Sequence, residues 1–230
     1  MAALRARGGV LQRWYDELFP VTSTFGAEPA FLLERGAYTM LGVRGRCYGV
    51  HVSGYVEEPG PDKPLRVWVA QRYFDYPTYP NMLDCLVGGG QPHGLSLVEN
   101  IIKECVEEAS IPEHLARSAR PAGVISYTSV ERAPNGAQRL QRDTLFSFDL
   151  KLPVEFTPYP SDGEVQNFQL HEVSWVIAKL VEGGPLGFKA NINITMIDFL
   201  IRYIAYINIE VYDEFLMRLL KTWLHCCRFA

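Results

Sequence analysis

The sequence predicts a mixed α/β sandwich. Two strand-like stretches, "RCYGVHVSGYVEE" and "LRVWVAQR", precede a helix-like stretch from Leu97 to Ala109, and further strands follow it. Helical patterns then occupy the end of the chain. Strands on both sides of a central helix, with helices outside, are the pattern of a mixed α/β layer fold. With 230 residues, 48% of them hydrophobic and 21% charged, the chain is long enough to bury one sizeable core.

Each element has a local reason. "GGVLQRWYDELFPV" has helical periodicity that ends before Pro20, and "PAFLLERGAYTML" is a second short element of open type. "RCYGVHVSGYVEE" and "LRVWVAQR" read as strands joined by the turn-rich "PGPDKP". A loop rich in proline and tyrosine, "YFDYPTYPNMLD", leads into "CLVGGG", a short strand closed by glycines. After the Leu97–Ala109 helix, "AGVISYTSVERAPNGAQRLQRDTLFSFDLKL" reads as strands around an Asn135-Gly136 turn. "EVQNFQL" is another strand, and "HEVSWVIAKL" and the last forty or so residues are helical. In the apolar stretch "INITMIDFLIRYIAYINI", Asp198 and Arg202 stand four apart, which predicts a packed helix with an internal ion pair rather than a membrane span.

A net charge of −4 gives no electrostatic footprint for nucleic acid or an anionic membrane, so neither is expected as a partner. Five cysteines without C-x-x-C spacing predict free thiols in a reducing compartment. The expected location is cytoplasmic, with organelle import left open by the basic "MAALRARGG" start. His225-Cys226-Cys227 carries no complete metal motif and is assigned no function.

The chemistry concentrates in "GGGQPHGLSLVENIIKECVEEASI", Gly88 to Ile111. Glu104, Glu107 and Glu108 are spaced i, i+3, i+4, which on a helix gathers them on one face. Ile101, Ile102, Cys105, Val106 and Ala109 are then expected on the apolar side. Like charges at this spacing destabilise a helix by a few tenths of a kcal/mol per pair unless a cation neutralises them. Oxygen donors alone select a hard cation, Mg²⁺ or Mn²⁺. The glycine-rich turn before the helix allows close backbone approach, and the Gly88 carbonyl is a candidate further ligand. By spacing alone, the cluster is read equally well as a solvated acidic helix face.

This stretch resembles a Nudix box, G-x5-E-x7-R-E-U-x-E-E-x-G-U with U aliphatic. Gly89 fits the first glycine, and "KECVEEASI" overlays the second half of the pattern. The flanking segments "WYDELFPV", "YGVHVSGYV", "YPNMLDCLVGGG", "EEASIPE", "FDLKLP", "DGEVQNFQL" and "DFLIR" are similar to the Nudix subfamily related to the domain fused to fungal thiamine pyrophosphokinases. The box is degenerate: Leu95 replaces its first glutamate, Lys103 its arginine and Ser110 its late glycine. Lysine keeps the charge of arginine without the bidentate fork, and Glu99 is placed at i,i+4 to pair with Lys103.

The resemblance implies hydrolysis of a small organic diphosphate with Mg²⁺ or Mn²⁺, most specifically removal of phosphate from oxo- or oxy-thiamine diphosphate to leave the monophosphate. It implies Glu104, Glu107 and Glu108 as metal ligands, joined by Gly88 and Glu164, with Glu104, Glu108 and Lys103 catalytic. Tyr79, Lys189 and Asn191 are candidate substrate contacts, the last two in a "KPN"-like stretch where Ala190 replaces proline. Tyr73, Phe74 and Tyr76 are further candidates for stacking on a ring, and His93 for touching a phosphate, each with plain packing or solvent exposure as its alternative. The expected organisation is an N-terminal helical segment (1–36), a Nudix domain (37–188) and a C-terminal helical extension (189–230), with a homodimer as the possible assembly. Two alternatives accompany this expectation: a catalytically weakened binding or scaffold module, favoured by Leu95 and Lys103, and a hydrolase of nucleoside diphosphate derivatives. Isopentenyl diphosphate isomerase chemistry ranks last, because its "TNTCCSHP"-like loop is absent.

Overall fold

The computed structural model describes residues 15–40, 46–58, 60, 64–132 and 138–203. The chain divides into two interleaved compact units, one of Met1–Val50, Gly89–Asn100 and Val124–Phe146, the other of His51–Gly88, Ile101–Gly123 and Ser147–Ala230. The elements run β1 (Leu18–Val21), β2 (Phe31–Glu34), α1 (Arg35–Met40), β3 (Arg46–Val56), β4 (Arg66–Arg72), β5 (Leu83–Asp84), β6 (Val87–Gly90), α2 (Leu97–Ala109) and α3 (Glu113–Ala116). They continue with β7 (Arg120–Arg132), β8 (Gln138–Lys151), β9 (Val165–Glu172), α4 (Val173–Glu182) and α5 (Ala190–Arg202).

A small antiparallel pair, β1–β2, runs in register from Leu18↔Glu34 to Val21↔Phe31. Within the described residues this corrects the helical reading at Leu18 and Phe19, just before Pro20. Proline has no N–H for a helix interior, and the alternation of exposed Leu18 with buried Phe19 is a strand period. Residues 1–14 lie outside the described residues. Glu34 is buried and accepts from the amides of Gly36 (2.7 Å) and Ala37 (3.3 Å), so α1 starts on a carboxylate cap.

Seven strands form the main sheet in the order β5-β4-β3-β8-β7, with β6 added on β3 and β9 on β4. β3, β5 and β9 all pair antiparallel with β4, whereas a parallel bridge joins Leu83 to Phe188, so the sheet is mixed. The turn expected at Asn135-Gly136 falls outside the described residues, although β7 and β8 flank it as predicted.

The core of the second unit follows from two periodicities. Val67 and Val69 alternate along β4, and Val173, Val176, Ile177 and Leu180 form the i, i+3, i+4, i+7 stripe of α4. Ile192, Met196, Phe199 and Leu200 of α5 join the same buried cluster. Full burial of each such side chain contributes roughly 1.5–3 kcal/mol. Arg202 closes α5 with the expected Asp198 ion pair and forks onto Asp149, Nε to Oδ2 at 3.0 Å and Nη2 to Oδ1 at 2.7 Å. That fork ties the helix to β8. No helix among the described residues is long and apolar enough to cross a membrane.

Candidate functional site

The glutamates that the i, i+3, i+4 spacing gathers on one face of α2 differ in burial. Ile101, Cys105 and Ala109 are buried, and Glu104 and Glu108 are buried beside them at i+3 and i+7 from Ile101. Val106, expected in the core, is 44% exposed, and the Glu107 side chain is 53% exposed. The helix therefore buries Glu104 and Glu108 at the edge of its apolar stripe and leaves Glu107 at the rim.

The segment after β8 brings more carboxylates to the same place. Its Ser161 hydroxyl donates to the Glu107 carbonyl (2.6 Å) and the Tyr159 amide to that of Ala109 (3.0 Å), satisfying groups that a helix end leaves orphaned. Ser110 stands at the helix exit with φ +52, a left-handed conformation that the glycine of the box pattern would adopt without strain. The Asp162-Gly163 turn, with Gly163 at φ +83, then sets Asp162 and Glu164 beside the helix, and the Glu164 amide donates to Asp162 (2.8 Å).

The charges of this group act on one another. Burial pushes the Glu108 carboxyl well above the ordinary range, and Glu104, Glu164 and Asp84 push it further. A single amide, that of Gly88, donates to Glu108 Oε2 at 3.2 Å and opposes the rise. Burial raises Asp162 as well, with Glu164 and Glu107 adding to it. Gly88 is thus tied to the site through its N–H, where the sequence suggested its carbonyl. A side chain there would crowd His51, since a Cβ would lie 3.0 Å from His51 Cδ2.

Lys103 is the cation of this region, pairing with Glu104 at 3.1 Å and Glu107 at 3.4 Å. Glu99 closes a capping box at the start of α2: the Ser96 amide donates to its carboxylate (2.8 Å) and its own amide to the Ser96 hydroxyl (3.2 Å). Within the first unit the glycine-rich loop has other anchors. Buried Gln91 donates to the Leu95 carbonyl (2.7 Å), and buried Asn100 donates to Gly90 O (2.9 Å) and to Gln91 Oε1 (3.1 Å). His93 and Leu95 are exposed.

A second charged group in the second unit joins Lys189, singled out from the sequence, to Asp84 and Arg72, which were not. Asp84 Oδ2 accepts from both Arg72 and Lys189 at 3.1 Å, and Asp84 Oδ1 accepts from the Cys85 amide at 2.9 Å. Lys189 and Arg72 hold the Asp84 carboxyl below its ordinary range despite burial. Lys189 Nζ also sits 6.0 Å from the Tyr79 ring, and the Arg72 guanidinium lies over Tyr76 at 4.5 Å. Tyr79 is half exposed and has φ +53. On α5, Asn191 precedes Thr195 by one turn, and Thr195 Oγ1 lies 2.9 Å from buried His51 Nδ1. Asn191 Oδ1 is buried without a hydrogen-bond partner. Burial and the nearby Lys189 lower the His51 pKa to about 4, with Asp84 opposing. Cys85 and Cys105 are buried thiols, and burial pushes both upward, Cys105 to about 12. Neither is a nucleophile at neutral pH.

The oxygen-only donor set fits a hard divalent cation: buried like charges with one opposing amide are the environment a cation relieves. Among the described residues no three His, Cys, Asp or Glu side chains already form a ligand cage. Glu104, Glu107, Glu108 and Glu164 are the groups that would close around one.

The chain is similar to known proteins. Nudix hydrolase 20, chloroplastic, from Arabidopsis thaliana is 41% identical over 195 residues, 85% of this chain and 49% of its own length. Nudix hydrolase 24, chloroplastic, from the same organism is 41% identical over 195 residues, 85% of this chain and 50% of its own length. The chain thus spans about half the length of these curated relatives. The solved structure of DR0079 from Deinococcus radiodurans shares the fold, with a TM-score of 0.54 at 17% identity over 79% of this chain and 95% of that one. Residues 1–45 match a domain of unknown function (DUF4743). The mixed α/β architecture and these relatives support the Nudix hydrolase family for this chain.

Proposed function

We propose that the chain is a metal-dependent Nudix hydrolase of a small organic diphosphate, most specifically an oxo- or oxy-thiamine diphosphate, yielding the monophosphate and phosphate. The observation that supports this reading best is the buried carboxylate pair Glu104–Glu108, joined by Glu164 and Asp162 with one amide donor on Glu108. A carboxylate cluster of this kind is costly to keep unless a cation is its working partner.

In the proposed mechanism Glu104, Glu107, Glu108 and Glu164 hold Mg²⁺ or Mn²⁺, which when bound supplies charge neutralisation on the diphosphate and orientation of the attacking water. Glu104, buried against Lys103, is the first choice for accepting the water proton, and Glu108 is fixed towards the site by the Gly88 amide. Lys103 faces Glu104 as a point charge at 3.1 Å and helps to orient it. Tyr79 offers a ring face, and Lys189 and Asn191 offer a donor and an unfilled acceptor to the organic part.

Phosphate release with Mg²⁺ or Mn²⁺ tests the reading. The panel holds thiamine diphosphate, its oxo and oxy forms, ADP-ribose, NADH and coenzyme A, with Glu104→Gln as control. Turnover of the oxo or oxy form that disappears in Glu104→Gln supports the proposal. Turnover of ADP-ribose or NADH instead moves the substrate to nucleoside diphosphate derivatives. Ligand binding without turnover supports the scaffold reading that Leu95 and Lys103 favour. The chloroplastic names of both plant relatives support import into an organelle rather than a cytoplasmic location. A homodimer is part of the same proposal, and sedimentation would read it.

A further inference from the structure

The group formed by Arg72, Asp84 and Lys189 is an unequal arrangement: two cations converge on one carboxylate oxygen. All three side chains are mostly buried, with 13%, 12% and 16% of their surfaces exposed. The two cations are held very differently. Arg72 is fixed on four sides, by Asp84, by the Thr78 carbonyl at 3.1 Å from Nε, by the Thr78 hydroxyl at 3.5 Å and by the Tyr76 ring. The Lys189 ammonium has three donors and, among the described residues, one hydrogen-bond acceptor, Asp84.

The accounting of Asp84 separates them further. With the Cys85 amide on Oδ1 and Arg72 on Oδ2, the carboxylate stays paired if Lys189 leaves. A buried carboxylate stripped of its last cation is strongly destabilising, whereas one that keeps an arginine is not. We infer that Lys189 is a releasable cation: it rests on Asp84 and is handed to a phosphate oxygen of a bound organic diphosphate, while Arg72 stays behind to keep Asp84 paired. Lys189 is the ligand-binding member, and Arg72 and Asp84 are positioning residues. Arg72 also anchors the tyrosine-bearing loop through Thr78, so the cation and the ring face of Tyr79 are set by one post. The inference rests on the diphosphate reading above and assigns that ligand's second anion contact.

The test is a binding titration of the full chain with a methylene-bridged diphosphonate in Mg²⁺, a probe whose P–C–P link cannot be hydrolysed. Lys189→Met should weaken binding about tenfold, the loss of one charge-assisted contact. Arg72→Gln should weaken it similarly, because Lys189 then becomes the sole cation of Asp84 and is retained. Asp84→Asn should bind within about twofold of the parent or tighter, and Arg72→Gln with Asp84→Asn should recover most of the loss. Asp75 is an exposed carboxylate of the same tyrosine-bearing loop, so Arg72→Gln with Asp75→Asn has the same net charge and should stay weak. The release mechanism is overturned if the Asp84→Asn double variant binds no better than Arg72→Gln alone, or if the Asp75→Asn pair recovers equally. It is also overturned if Lys189→Met binds like the parent. Should the double variants fail to melt cooperatively, Lys189→Arg decides: a forked guanidinium held more firmly by Asp84 should bind the probe more weakly, and equal or tighter binding refutes release. A parent chain that binds no diphosphonate in Mg²⁺ takes down the diphosphate reading itself, a result distinct from all of these.

Discussion

Substituting Glu108 by Gln removes one charge from the most crowded point of the site and keeps the shape. In the metal-free chain the carboxylate is buried among Glu104, Glu164 and Asp84, with the Gly88 amide in its favour. Like unit charges a few ångströms apart at an effective dielectric near 20 repel by roughly 2–4 kcal/mol per neighbour, and partial protonation already relieves part of that. The amide oxygen of Gln can still accept from Gly88. A net gain of about 1–3 kcal/mol is expected without metal, which raises the melting temperature by roughly 3–10 °C in a chain of this size. With Mn²⁺ the order should reverse. At a metal concentration near 100 Kd the parent gains about 2.7 kcal/mol, and the variant, short of a ligand, gains little. The proton linkage has a definite sign. Glu108 folded holds its proton above the ordinary carboxylate range, so the native state binds more protons than the unfolded chain and stability falls as pH rises from about the ordinary value. That slope should vanish in the variant. Paired thermal melts with and without Mn²⁺, at several pH values, check all of this. A Glu108→Gln chain that melts lower than the parent without metal and still responds fully to Mn²⁺ would refute the assignment of the cluster to a cation.

Three further outcomes follow from single contacts. His51 has an ordinary pKa of 6.5 when unfolded and about 4 when folded, so between those values the unfolded chain binds more protons and stability rises with pH. The difference amounts to about 3 kcal/mol by pH 6.5, and His51→Gln should flatten urea unfolding across that window. Ser110→Gly relieves the left-handed conformation at the end of α2 and should stabilise by roughly 0.5–1 kcal/mol, read in the urea midpoint; a lower midpoint would mean the 3.1 Å contact of Ser110 with Ser161 outweighs the strain. Arg202→Met strips the fork from Asp149, whose side chain is 9% exposed, and should cost roughly 3 kcal/mol; a loss below about 1 kcal/mol would show that water reaches Asp149 readily.

Periodicity gave the larger elements away and said little about which side they bury. The bounds of α2 match the sequence reading, because Leu97, Ile101, Cys105 and Ala109 repeat at helical spacing. The burial of Glu104 and Glu108 did not, since a helical wheel ranks residues by polarity and the sheet ranks them by position. β1 was hidden because Pro20 ends a helical pattern as readily as it enters a short strand. Asp84 and Arg72 lie twelve residues apart with no motif between them; only the pairing of β4 with β5 brings them together. Asp162 was missed for the same reason: its place depends on the Ser161 and Tyr159 contacts with the end of α2, which no local pattern announces.

The departures from the box pattern bear on the choice between enzyme and scaffold. A box arginine and its glutamate would brace the loop by a fork, and Leu95 with Lys103 removes that brace. The structure shows the loop braced otherwise. Gln91 and Asn100 hold Gly90 and Leu95 by main-chain carbonyls from buried positions, and Ser96 with Glu99 starts α2 with a reciprocal cap. Amide-to-carbonyl contacts of this kind do not titrate and are not screened by salt, unlike the ion pair they stand in for. A loop so held keeps its shape without the fork, and Lys103 pairs with Glu104 and Glu107. The lost residues therefore argue against rigidity by ion pairing and not against a working carboxylate site, which is why the hydrolase reading stands ahead of the scaffold.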